Sequence, residues 1–371
     1  MDEPAIRRIP RAEVHVHLEG CFELADVAEL ARAAGEPLPR PVAAALDADG
    51  PGGLAALLRM LDWQCGLVRT AEQAARAAYR FAARETSSGV AYADLIVNPT
   101  HWTAWTGRVP ALFEAFAAGL DEAEQDGLAA VGLCPSLLRQ QTAAQAADLV
   151  DWMVTTRPRR VVALSIDGDE RSAGRVSGRF AEAFARAGRA GFGRTVHAGE
   201  SSGPEGVWDA ITVLGADRID HGIRCVDDPE LVTRLAGQQV PLGVCPLSNI
   251  VLGVASDRRS HPLERLRRAG VPVSVNTDDP AVLRYRNEQE WALCAEAYDW
   301  GLDVVVELAR TSVVASFADV DRKQALLAEL DTCAEQDGGA ERDAGAAAYA
   351  GPAAGPSAAP RAASVAPSAA R

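Results

Sequence analysis

The sequence predicts an α/β fold, a (β/α)8 barrel of the TIM type with a metal site at the C-terminal ends of its strands. Three observations carry that expectation. Eight short β-rich runs alternate with helix-like stretches, as a wound parallel sheet requires. The first run leads into HLEGCFEL, which holds one glycine, where an open dinucleotide-binding sheet would want a glycine-rich phosphate loop. Chemistry-bearing residues recur at the ends of the runs, where such a barrel keeps its active site.

The first strand is read in AEVHVHL (12–18). Residues i and i+2 of a strand share a face, so His15 and His17 stand side by side, roughly 6–7 Å apart at Cα. GGLAALLRMLDWQCGLV (52–68) is more apolar than a surface insertion needs, and reads equally as extra core or as a flap over the barrel mouth. AEQAARAAYRFAARETSSG (71–89) is helix-like and leads to AYADLIV (91–97), AAVGLCP (129–135) and RVVALSI (160–166). GRFAEAFARAGRAG (178–191) is again helix-like, before RTVHA (194–198) and RIDHG (218–222). DPELVTRLAG (228–237) separates these from VPLGVCP (240–246) and VPVSVNT (271–277). Several helix-like stretches end in glycine, a common C-terminal signal. After residue 335 the chain turns to Ala, Gly, Pro and Ser with almost nothing to bury. The expected organisation is a barrel over 1–335 and a disordered tail over 336–371.

The hydrophobic share of 48% is enough for a sizeable core, and a net charge of -14 argues against a nucleic-acid partner. No run of about 18 apolar residues is present, so no membrane span is expected. The first residues lack the apolar centre of a signal peptide. Seven cysteines, scattered and without a CxxC pair, suit a reduced cytoplasmic chain better than a disulfide framework or a thiolate zinc site.

The strand ends concentrate the chemistry. Strand one delivers His15, His17 and Glu19; strand five ends in HAGE, with His197 and Glu200. Strand six delivers Asp220 and His221, and strand eight Asp278 and Asp279. Four of the six histidines therefore face one mouth. His101, in a loop after Pro99, and His261, before Pro262 at a helix start, have ordinary explanations. Three imidazoles and a carboxylate suit Zn²⁺. Asp278 is the expected acidic ligand, because the last strand of a closed barrel lies beside the first. A lysine-bridged metal pair is excluded at strand four, since Lys323 is the sole lysine and lies beyond the last strand. One Zn²⁺ per chain follows. Glu200 is placed to act as general acid, and His221 to orient the attacking water while staying off the metal.

HVHLEG, HAGE, RIDHG, CPLSN and SVNTDDP, in that order, resemble the adenosine deaminase family of the amidohydrolase superfamily over about residues 9–330. The resemblance implies hydrolytic replacement of a purine 6-amino group, with an aminopurine as the small-molecule partner. By motif position it implies His15, His17, His197 and Asp278 as zinc ligands and Glu200 as proton donor to purine N1. It further implies His221 as the water-orienting base, Asp279 as the contact to N7, and Gly168 as the backbone donor to N3. Glu19 stands where adenosine deaminases proper usually carry an aspartate that holds the ribose 5′-hydroxyl; enzymes acting on free adenine or aminodeoxyfutalosine share the Glu form. Ser165 and Asp167 replace an aspartate and a small residue. Arg284 and Arg286 either approach the pocket, to greet an acidic substrate, or are solvent-exposed helix-start residues. Another hydrolase of the superfamily, acting on a non-purine amide, lactone or cyclic amidine, is the alternative. The Glu200–His221 pairing, suited to protonating a ring nitrogen, ranks it second.

Overall fold

The computed structural model describes residues 1–37, 53–175 and 178–333. The expected tail, 336–371, lies outside the described residues. Eight strands run in chain order: β1 (Arg11–His17), β2 (Val90–Val97), β3 (Ala130–Leu138), β4 (Ala163–Asp167), β5 (Gly193–Ala198), β6 (Arg218–His221), β7 (Leu242–Val244) and β8 (Val273–Val275). Each pairs in parallel with the next. The ring closes where β1 meets the segment after β8. His17 N–H donates to the Asp278 carbonyl at 2.8 Å, and Asp278 N–H to the His15 carbonyl at 3.1 Å. The chain is a (β/α)8 barrel.

β7 and β8 are three residues each, shorter than the expected seven. Pro241, Pro246 and Pro272 flank them and have no N–H for the ladder, although the Pro241 and Pro272 carbonyls still accept from Ile219 and Leu242. The helix Ala71–Ser87 begins with a capping box, Thr70 Oγ1 accepting from Gln73 N–H at 3.3 Å, and stops at Gly89. Gly89 has φ +84 and passes so close to Arg7 that an added Cβ would lie 2.8 Å from its Cα. Only glycine serves there. Pro229–Gln238 opens on Asp228, which accepts from Glu230 N–H and Leu231 N–H. The helix Ala181–Arg189 lies inside its expected span.

The helix Gly53–Gly66 settles the reading of segment 52–68 on both counts. Cys65 is fully buried, as core would be, while Leu61 lines the cavity at the barrel mouth. Beneath that cavity the barrel is filled by charge as well as hydrocarbon. Arg218 and Asp94 are fully buried and paired at 2.6 Å, and the Arg218 guanidinium lies 4.4 Å from the centre of the Phe317 ring.

Candidate active site

β1, β5 and β6, with the turn after β8, bring four imidazoles and a carboxylate to one point. His15 Nε2 lies 3.1 Å from His197 Nε2, and His17 Nε2 lies 3.0 Å from the same atom. Asp278 Oδ1 is 3.4 Å from both His15 Nε2 and His17 Nε2. The nitrogens on the far sides of the rings face acceptors. His15 Nδ1–H donates to the Gly243 carbonyl at 2.8 Å, and His197 Nδ1 faces Asp220 Oδ2 at 3.4 Å. His17 Nδ1 faces Asp167 Oδ2 at 3.9 Å. His15 carries its proton on that outer nitrogen, and the carboxylates facing His197 and His17 favour the same placement, so that three Nε2 atoms converge beside a carboxylate. Acceptors gathered without a donor call for a cation, and the donor set fits one divalent ion.

The ligand-type atoms of His15, His197, His221 and Asp278 also lie within 4.8 Å of one another. Proximity alone therefore admits His221 to the cluster as readily as His17. His221 Nε2 sits 3.4 Å from Glu200 Oε1 and 3.9 Å from Asp278 Oδ2. Both His221 and Asp278 hold φ +65, a left-handed backbone that side chains other than glycine seldom adopt. At His221 and Asp278 this backbone turn sits within the cluster itself, at the end of β6 and in the turn after β8.

The electrostatics favour positive charge at this point. In the chain alone, burial lowers His15, yet Asp220 and Asp278 outweigh it and carry the ring up to about 9, a demand for positive charge that a cation on Nε2 meets in place of a second proton. Burial and the neighbouring imidazoles push His197 far below its usual value. Burial, with Asp278 and Glu170 adding, lifts Glu200 to about 8. Asp279 is raised well above a normal carboxyl by burial and then by Asp278 and Glu19.

Glu19, Gly168, Glu200 and Asp279 line the same cavity as His17, His197, His221 and Asp278. Glu19 Oε1 accepts from Asn98 N–H at 2.8 Å and from the Trp102 indole at 2.7 Å, while Oε2 has no hydrogen-bond partner among the described residues. Of the two readings of Arg284 and Arg286, the solvent-exposed one holds. Both are exposed, and Arg284 lines a separate cavity beside Tyr285 and Pro280, because the turn after Asp279 carries the chain away from the mouth.

The sequence model of adenosine deaminases matches residues 10–333. This chain belongs to the adenosine deaminase family. Over 335 residues it is 33% identical to an adenine deaminase of Trichlorobacter lovleyi, covering 89% of this chain and 94% of that one. It is 32% identical over 330 residues to an aminodeoxyfutalosine deaminase of Streptomyces avermitilis, covering 88% and 92%. A solved amidohydrolase of Burkholderia ambifaria with bound zinc superposes at a TM-score of 0.81, with 26% identity and coverage of 90% and 94%. The protein is therefore a hydrolytic deaminase.

Several residues of this deaminase site escaped the sequence reading. Glu170 accepts backbone N–H from Gly199 (2.9 Å), Glu200 (2.8 Å), Ser201 (2.9 Å) and Ser202 (3.1 Å), and so holds the loop that carries Glu200. His101 is not an ordinary loop residue. It is buried, lines the cavity, and its Nδ1 pairs with Asp62 Oδ1 at 2.6 Å, tying the loop to the helix Gly53–Gly66. His261 stands at the start of the helix Leu263–Arg268 as expected, accepting from Leu263 N–H, but it is also buried and reaches Asn249. No local pattern marks Glu170, His101 or the reach of His261 to Asn249, since these contacts fall on partners remote in the chain.

Proposed function

We propose that this deaminase uses one Zn²⁺, held by His15, His17, His197 and Asp278, to hydrolyse the 6-amino group of an unphosphorylated 6-aminopurine. The observation that carries this is the convergence of three imidazole Nε2 atoms and Asp278 under a cavity walled by Glu200 and Asp279. When bound, a cation of this kind lowers the pKa of a water to roughly 7 and so supplies the nucleophile. The bound zinc of the Burkholderia amidohydrolase supports the choice of metal.

The remaining work falls to the chain. Glu200, carried up to about 8, holds a proton at neutral pH and delivers it to purine N1. That protonation draws electrons from C6 as the water oxygen adds there. Asp279, raised well above the usual carboxyl range by burial and then by Asp278 and Glu19, faces N7 and in its protonated form donates to it. His221 orients the water. Of the two water protons, one returns to Glu200 and the other passes to the exocyclic nitrogen, which leaves as ammonia, and the base departs as the 6-oxopurine protonated at N1. Glu19 and Gly168 stand in the wall of the same cavity.

Six carboxylates line the cavity, with no lysine or arginine among the lining residues. Around Glu19, Asp167 and Asp169 the wall offers a phosphate ester no lysine or arginine to pair with, so adenine, aminodeoxyfutalosine and adenosine fit better than nucleotides. The adenine and aminodeoxyfutalosine deaminases among the relatives support that order. Ammonia release from each of these compounds and from AMP, together with metal analysis, tests the reading. About one zinc per chain and turnover of an unphosphorylated aminopurine are expected. Turnover of AMP alone, or a protein that binds no metal, would refute it. Glu200→Gln should lower kcat by about 10²-fold or more while zinc stays bound.

A further inference from the structure

Distance does not separate His17 from His221 as a partner for the cation; the placement of protons does. Leu263 N–H donates to His261 Nδ1 at 3.1 Å. A ring nitrogen that accepts carries no proton, so His261 holds its proton on Nε2. That nitrogen lies 3.1 Å from Asn249 Oδ1 and donates to it. The other end of the Asn249 amide is then its NH₂ group, which lies 3.2 Å from His221 Nδ1 and 3.5 Å from Glu200 Oε1. An NH₂ group only donates, so His221 Nδ1 accepts and the His221 proton resides on Nε2. His221, Asn249 and His261 are all buried, which removes solvent as a competing partner.

The result is opposite to that at the other rings. His15 donates from Nδ1 to a carbonyl and His197 faces a carboxylate there, leaving Nε2 bare in each. His221 has an N–H on the nitrogen that faces Glu200 and Asp278. A nitrogen carrying a proton has no lone pair for a cation.

We propose that His261 and Asn249 are positioning residues that fix the proton of His221 on Nε2, so that His221 donates a hydrogen bond to the attacking water and stays off the cation. The role toward water rests on the function proposed above; the position of the proton does not. The two stand apart in experiment. In the zinc-loaded full chain with ¹⁵N-labelled imidazoles, two-bond ¹H–¹⁵N spectra distinguish protonated from bare ring nitrogens, and His221→Gln assigns the signals. The expected pattern for His221 is a protonated Nε2 and a bare Nδ1. The reverse pattern, or an Nε2 shifted by direct metal contact, overturns the proposal. His261→Leu should lower kcat about 10-fold or more with His221 averaging between tautomers. KM should move less than roughly threefold, since ground-state binding is untouched. His261→Gln keeps a donor near the Nε2 position and should restore kcat to within roughly threefold of the native enzyme. Unchanged kcat and an unchanged His221 spectrum in His261→Leu also overturn it. Should that variant fail to fold, the native spectrum decides alone. A protein with the expected tautomer but no activity on any aminopurine supports the proton placement and sinks the function.

Discussion

Gly20 shows how little room single residues leave. A Cβ there would fall 2.5 Å from the Cα of Asp279, so the HLEG turn and the DDP turn touch through a missing side chain. Gly20→Ala must displace Asp279 and should reduce kcat/KM by about 10²-fold, as misplacement by an ångström does. Steady-state kinetics beside a circular dichroism spectrum of the folded variant checks this. His261 has a second consequence, for stability. Burial and then Arg258 lower it from 6.5 to about 4. Between those values the unfolded chain takes up a proton that the folded chain refuses. The stabilisation is therefore complete above pH 6.5 and lost as pH falls toward 4, by up to about 1.4 kcal/mol per pH unit. His261→Gln should flatten the fall in urea-unfolding free energy across that window. An equally steep fall would show that His261 is already protonated.

At the scale of elements, what the sequence reveals follows from period. His15 and His17 alternate with Val14, Val16 and Leu18, so the shared face of a strand can be read directly, and the other site motifs follow the same logic at their strand ends. Helix spans were equally legible, because Thr70, Asp228 and Pro229 announce their starts. β7 and β8 were overextended because apolar runs look like strand whether or not proline withholds ladder donors. Glu170 was invisible for a different reason. It sits 29 to 32 residues from the N–H groups it holds, and nothing in its own neighbourhood announces a clamp. Asp220 lies between these cases. Its place at the end of β6 was plain, but its register opposite His197 came only with the sheet. Neither His197 Nδ1 nor Asp220 Oδ2 has a hydrogen-bond partner among the described residues, and they face each other at 3.4 Å. Asp220→Ala should weaken zinc retention by about 10- to 100-fold, measured by competition with a chelator. Unaltered retention would remove Asp220 from the account of how His197 is held.

The whole molecule is organised around a charged axis inside the barrel. Arg218 pairs with Asp94 at 2.6 Å and with Asp220 at 3.3 Å, all three fully buried. Arg218→Ala leaves two buried carboxylates without their cation and should cost about 3–5 kcal/mol in denaturant unfolding. A loss under about 1 kcal/mol would mean that the interior relaxes around the gap. Among the described residues no helix is long and apolar enough to cross a membrane.

That filled axis also decides traffic. With Arg218 and Asp94 plugging the barrel below the imidazoles, visitors come and go by the doorway that Leu61 and His101 frame. On the proposed function, a fresh aminopurine waits until the spent base has backed out, and the oxopurine is expected to compete with substrate for the single seat, which product-inhibition kinetics would show.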